Sequence, residues 1–147
     1  MSPTDPISKL NELIQGISTA ILTTVRPDSS LHSRPMASEP IDDSGAFWFL
    51  TGSNTEKVEA VRTIQRVNLA FLDHTADRYV SVSGFCELVR NGAKAKSLWK
   101  PEYKTWLPGG LEDPDLVLMK IVVQEAEYWD PSQGRMVELN HFPNELQ

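Results

Sequence analysis

Short turns separate most of the strand-like runs in this chain, and that spacing limits the fold more than any other feature. Residues 19–25 read as a strand, Arg26-Pro-Asp-Ser-Ser30 as a proline turn, and 31–38 as a returning strand, so the two form a hairpin. Asp42-Asp-Ser-Gly45 is a second turn. Residues 46–51 are a third strand whose nearly continuous apolar run predicts cover on both faces. Gly52-Ser-Asn-Thr55 punctuates it, and 56–65 follows as a helix with Val58, Val61 and Ile64 on one stripe. Residues 67–73 and 78–90 are the fourth and fifth strands, 116–130 a long sixth, and 135–139 a short seventh ahead of a frayed tail. Two more helices are expected. One covers 4–16, with Thr4 or Asp5 as cap, Pro6 in its first turn and Gly16 at its end; the other covers 91–99. Residues 100–115, rich in proline and glycine, are irregular. Turns this short join antiparallel strands, since a parallel pair needs a crossover of roughly a dozen residues. The expectation is a mainly β fold, a barrel or sandwich with peripheral helices rather than a doubly wound sheet.

The chain has 147 residues, which suits a single domain. Hydrophobic residues are 40 % and charged residues 23 %, a globular rather than a disordered balance. The formal charge of −6 opposes general binding to nucleic acid or to an anionic membrane, and a phosphate ligand would need a locally basic pocket. Cys86 is the one cysteine, so no intramolecular disulfide is possible, and it sits in an apolar run as a small core residue. His32, His74 and His141 have no metal-ligand spacing. The N-terminus lacks a secretory pattern, and no apolar run approaches the roughly 20 residues of a membrane span. The expectation is a soluble cytoplasmic protein without a nucleic-acid or membrane partner.

Three segments carry possible chemistry. In Thr51-Gly-Ser-Asn-Thr55-Glu-Lys57 a strand ends, a small-residue turn follows and a helix begins. Helix N-termini present free N–H groups and a partial positive charge, which suit a phosphate, and Lys57 adds a mobile cation. An ordinary capped helix with a solvated lysine fits the same spacing: Ser53 or Thr55 is the expected cap, and Ser53 with Glu56 resembles a capping box. In His32-Ser33-Arg34-Pro35-Met36 the proline marks an edge strand or a bulge, and Arg34 offers a planar fork to phosphate or is a surface arginine. In Glu127-Tyr128-Trp129-Asp130 two aromatics at a strand end form a wall for a planar ligand, or packing. Tyr79, Ser81 and Ser83 share one polar strand face, opposite Val80 and Val82. Lys94, Lys96, Lys100 and Lys104 read as a solvated basic face, and Glu112, Asp113 and Asp115 as loop and cap residues.

The joint order of these motifs resembles a family. Ser33-Arg34-Pro-Met36, Phe49-Leu50-Thr51-x-x-x-Thr55-x-Lys57, Tyr79-Val-Ser81-Val-Ser-Gly84, Trp106-Leu-Pro-Gly-Gly-x-x-Asp113-Pro-Asp-Leu and Glu127-Tyr-Trp129-Asp follow one another across residues 5–139. The chain is similar to the general stress protein 26 branch of the pyridoxamine 5′-phosphate oxidase-like, FMN-binding split-barrel superfamily. The resemblance implies a six-stranded antiparallel split barrel in one domain spanning residues 1–147, paired as a homodimer with FMN in two interface clefts. It implies that Arg34 and Lys57 hold the FMN phosphate and that Thr51 and Thr55 supply hydroxyls beside it, on the segment that includes Phe49 and Leu50. Ser33, Pro35 and Met36 belong to the flavin-binding strand, with the Pro35–Met36 backbone beside the ring; Tyr79, Ser81 and Trp129 reach the flavin from the partner subunit. The sequence departs from true oxidases in three places. Glu39 stands where they carry a basic residue, Glu56 replaces an arginine before the phosphate lysine, and the C-terminal arginine–x–histidine pair is missing. FMN binding is expected to survive these changes and vitamin B6 oxidation is not. A flavin-dependent oxidoreductase is the expected activity, with His32 as a candidate proton donor. A non-catalytic flavin carrier, and a split barrel using deazaflavin or haem, are the alternatives.

Overall fold

The computed structural model describes residues 5–143. The elements run α1 (Pro6–Ile14), β1 (Thr19–Val25), β2 (Leu31–Ala37), β3 (Ala46–Gly52), α2 (Glu56–Thr63), β4 (Arg66–Asp73), β5 (Arg78–Val89), α3 (Gly92–Leu98), two 3₁₀ turns (Pro101–Thr105 and Gly110–Glu112), β6 (Leu116–Asp130) and β7 (Arg135–Leu139). Asp5 caps α1 by accepting from the Ile7 N–H at 3.2 Å, with Pro6 in the first turn. The alternative cap, Thr4, lies outside the described residues. Gly16, at φ +84°, turns the chain into β1 in a conformation that favours glycine.

All neighbouring strands pair antiparallel, in the order β2-β1-β4-β5-β6-β3, with β7 added beside β6. The fold is therefore mainly β: a six-strand path with a short seventh attached. β2 and β3 stand at opposite ends of that path, yet residues of both line one cavity. The sheet curls until its two ends face each other without pairing, which makes it a barrel split between β2 and β3. Pro35, which has no N–H for a ladder, sits on the end strand β2, where the missing donor costs least.

β3 reads as continuous apolar sequence because it is covered on both faces. Phe47 and Phe49 enter the main core with Leu22, Leu69, Phe71, Met119 and Ile121, while Leu50 enters a second cluster with Tyr103, Leu107 and Leu118. α3 and the first 3₁₀ turn supply that outer cover. The chain end is not frayed as far as the described residues go, since Phe142 is buried in the main core. The pairing of β5 with β6 shifts register between Ser83 and Gly84. A Cβ at Gly84 would lie 2.0 Å from the Val122 carbonyl oxygen, so the backbone approach there requires glycine. No described helix is long and apolar enough to cross a membrane.

Candidate functional site

A cavity of about 310 Å³ lies at the split, within the size range of small-molecule sites. Pro35, Met36 and Ala37 of β2 line it on one side, and Phe49, Leu50, Thr51 and Gly52 of β3 on the other. Thr55, Lys57, Glu39, Tyr103 and Trp106 belong to the same cavity. The strand–turn–helix segment and the proline strand, separate in sequence, thus meet in one cleft.

The start of α2 differs from the expected capping box. Thr55 is the N-cap residue, but its side chain makes no capping bond. Its Oγ1 instead donates to the Gly52 carbonyl at 2.9 Å, closing the turn on itself. The Ser53 N–H donates to the Asp115 carbonyl at 2.7 Å, which ties the turn to the start of β6. Glu56 points away from the turn, toward Arg26 Nε at 3.0 Å and His32 Nδ1 at 3.2 Å. The first N–H groups of α2 are therefore left without a side-chain acceptor, at the positive end of the helix.

Lys57 is half-buried in the cavity wall, and no described carboxylate pairs with it. Burial, and then the nearby Arg34 guanidinium, lower its pKa below the ordinary amine value. Arg34 is also lowered by burial, an effect that Glu56 partly offsets. Its Nη1 donates to Thr24 Oγ1 at 2.9 Å, and its Nη2 meets His32 Nδ1. Thr24 is fully buried, so that hydrogen bond fixes the guanidinium against the barrel wall. Two partly desolvated cations close together, beside uncapped helix amides, are stabilised by an anion. Among the described residues no group of three or more side chains is placed to hold a metal ion.

The family model described as pyridoxamine 5′-phosphate oxidase like matches residues 5–143. The chain belongs to this family. General stress protein 26 from Bacillus anthracis str. Sterne superposes with TM-score 0.74 at 24 % identity, covering 90 % of this chain and 98 % of that one. A protein from Clostridium acetobutylicum related to general stress protein 26 superposes with TM-score 0.77 at 19 % identity, covering 95 % of this chain and 96 % of that one. Protein bli-3 of Neurospora crassa is 27 % identical over 96 residues, 58 % of this chain. This chain spans only 46 % of that curated relative's length. The split barrel read from the strand order is thus the fold of this oxidase-like family.

Of the residues expected at the site, Pro35, Met36, Phe49, Leu50, Thr51, Thr55 and Lys57 line the cavity; Arg34 is not among the lining residues, though its charge reaches Lys57. Ser33 is exposed and shares a hydrogen bond with Thr23 Oγ1 at 2.6 Å. His32 is held between Arg34 and Glu56 and is not among the lining residues. Tyr79, Ser81 and Trp129 are not brought to this cavity either. They lie on the outer face of the oxidase-like barrel, where Ile21 pairs with Pro35 and Ala70, Ala70 with Ser81, and Leu72 with Tyr79. Val80 and Val82 on the opposite face are buried, as expected from their parity. Asn68 Nδ2 donates to the Ser81 and Ser83 hydroxyls at 3.0 and 3.1 Å.

The sequence reading missed the aromatic part of the cleft. Trp48, Tyr103 and Trp106 all line it. Trp99, Tyr103 and Trp106 repeat at helical spacing through the irregular stretch, and that period was the available signal. The basic face is also less solvated than expected. Lys94 sits over the Trp48 ring at 4.6 Å, and Lys100 pairs with Glu39 at 3.1 Å.

Proposed function

We propose that this protein is an FMN-binding flavoprotein, and that it works as a flavin-dependent oxidoreductase with the cofactor in the split between β2 and β3. The observation that carries this reading is the unpaired, half-buried Lys57 beside Arg34 and the uncapped start of α2. These groups suit the phosphate of FMN, which carries close to two negative charges at neutral pH. The β2 backbone at Pro35 and Met36 is left to run along the ring, and Phe49 and Leu50 exclude water from the opposite wall. Bound FMN would supply the redox chemistry; the chain's part is to orient it and to set the charge around it. His32 serves this reading best by holding Arg34, because its Nδ1 faces Arg34 and Glu56.

The same reading makes the protein a homodimer. Ile21, Leu31 and Leu72 leave 41 %, 67 % and 60 % of their surface exposed, on strands around the outer face that carries Tyr79, Ser81 and Trp129. A two-fold axis across this face hides the apolar residues and creates two equivalent sites. It also delivers Tyr79, Ser81 and Trp129 to the partner's cleft, which their distance from their own cleft otherwise leaves unused.

The test is reconstitution with FMN followed by anaerobic reduction with a panel of nicotinamide and dithiol donors, read by flavin absorbance. Stable FMN binding with reduction by at least one donor supports the oxidoreductase. Binding without reduction by any donor makes the protein a carrier. Retention of a deazaflavin or haem in place of FMN overturns the cofactor assignment. Pyridoxamine 5′-phosphate, included in the panel, is expected to give no useful rate.

A further inference from the structure

The cleft carries charge of both signs on different elements: Lys57 lines it at the start of α2, and Glu39 lines it with the aromatics Trp48, Tyr103 and Trp106. Glu39 is 14 % exposed by its side chain, unusually enclosed for a carboxylate. Both of its donors, the Tyr103 hydroxyl and Lys100 Nζ, reach the same oxygen, Oε1. Oε2 has no hydrogen-bond partner among the described residues. Tyr103 does not neutralise the carboxylate. Burial, and then the hydrogen bond to Glu39, push its hydroxyl pKa upward, so it stays a neutral donor. Lys100 leaves 49 % of its side chain in solvent, where an ion pair is weak and exchangeable. Trp106 lines the cavity, is half exposed and packs against the Tyr103 ring at 5.1 Å.

We propose that the Glu39 side of the cleft is the substrate side, and that it selects an aromatic or planar organic molecule bearing a cationic or N–H donor group over one bearing phosphate or carboxylate. This rests on the flavoprotein reading only in leaving the Lys57 side to the cofactor. Trp106 supplies the open stacking area, since the Trp48 ring already carries Lys94 at 4.6 Å and Lys120 at 5.5 Å, and a cation beside Trp106 gains from the ring and the carboxylate. Glu39 accepts the donor through Oε2 while Tyr103 keeps Oε1 in place. An anionic substituent at the same point meets an enclosed carboxylate and loses its hydration without return.

The experiment uses three indoles of one shape: tryptamine as the cation, 3-methylindole as the neutral form and indole-3-acetate as the anion. Each is titrated by calorimetry into the FMN-loaded protein and into the flavin-free protein, with FMN binding itself measured first by fluorescence. Tryptamine is expected to bind at least about tenfold more tightly than indole-3-acetate. Glu39→Gln is expected to abolish that preference and Glu39→Lys to reverse it, with each indole titration set against the FMN affinity of the same variant. Equal affinities for the cation and the anion overturn the proposal, as does no binding of any indole, or a preference that persists unchanged in Glu39→Gln. Failure of FMN to bind sinks the flavoprotein reading alone, because the flavin-free titrations still read the charge preference.

Discussion

Arg34 and Lys57 show how neighbouring groups decide what a side chain can do. Each is a cation in partial burial, and each is made a poorer cation by desolvation. A phosphate bound there, as proposed, would offset that penalty. A charge-assisted hydrogen bond contributes roughly 1.5–3 kcal/mol, so Arg34→Ala and Lys57→Ala should each weaken FMN about 10- to 100-fold. Riboflavin, which has no phosphate, should lose far less. Calorimetric titration of both ligands checks this; equal losses would point to damaged folding instead. Spacing alone offered the two residues as separate candidate phosphate ligands, and only the family resemblance paired them. Their proximity depends on the curl that brings β2 and the α2 start together, and curl leaves no local pattern. Glu39 illustrates the same gap, since its partners Lys100 and Tyr103 lie 61 and 64 positions away.

At the scale of elements, strands and helices followed the sequence closely because their periods are local and the turns carry proline, glycine and aspartate. The start of α2 did not. Ser53 and Glu56 have capping-box spacing, but tertiary contacts to Asp115, Arg26 and His32 took both groups elsewhere. The β5–β6 register shift is another long-range demand, visible in sequence only as the single glycine at Gly84. Gly84→Ala drives a methyl group to within 2.0 Å of a backbone oxygen, so it should destabilise the fold by at least about 3 kcal/mol in chemical denaturation. The joint between α1 and the sheet is held by Arg78. It donates to the Leu13 carbonyl at 3.1 Å and pairs with Asp73 at 2.8 Å. The Arg78 hydrogen bond holds the Asp73 carboxyl below its ordinary value of 3.8. A carboxyl depressed in the folded state stabilises above its unfolded pKa and loses that contribution as pH falls through the folded one. Asp73→Asn should therefore be less stable than the parent at pH 7, and the two should converge as pH drops below 3.8. Urea denaturation across that range measures it; a constant difference would remove Asp73 from the joint.

The whole molecule is a barrel with an open seam, a cleft with both charge signs in that seam and an outer face on which Ile21, Leu31 and Leu72 are exposed among polar residues. In the proposed reading each chain uses its Lys57 side for the cofactor phosphate and offers Tyr79, Ser81 and Trp129, on the outer face of its sheet, to another copy. Acidic overall charge would repel an anionic cofactor at long range, so the proposed binding has to rely on the local cations. Sedimentation velocity of the FMN-reconstituted protein, followed at the flavin absorbance, tests flavin binding and the shared site together. Flavin is expected to sediment with a species of twice the 16.5 kDa chain mass, at one flavin per chain. Flavin that stays unsedimented, or that travels with the single chain, contradicts a cofactor held between two subunits.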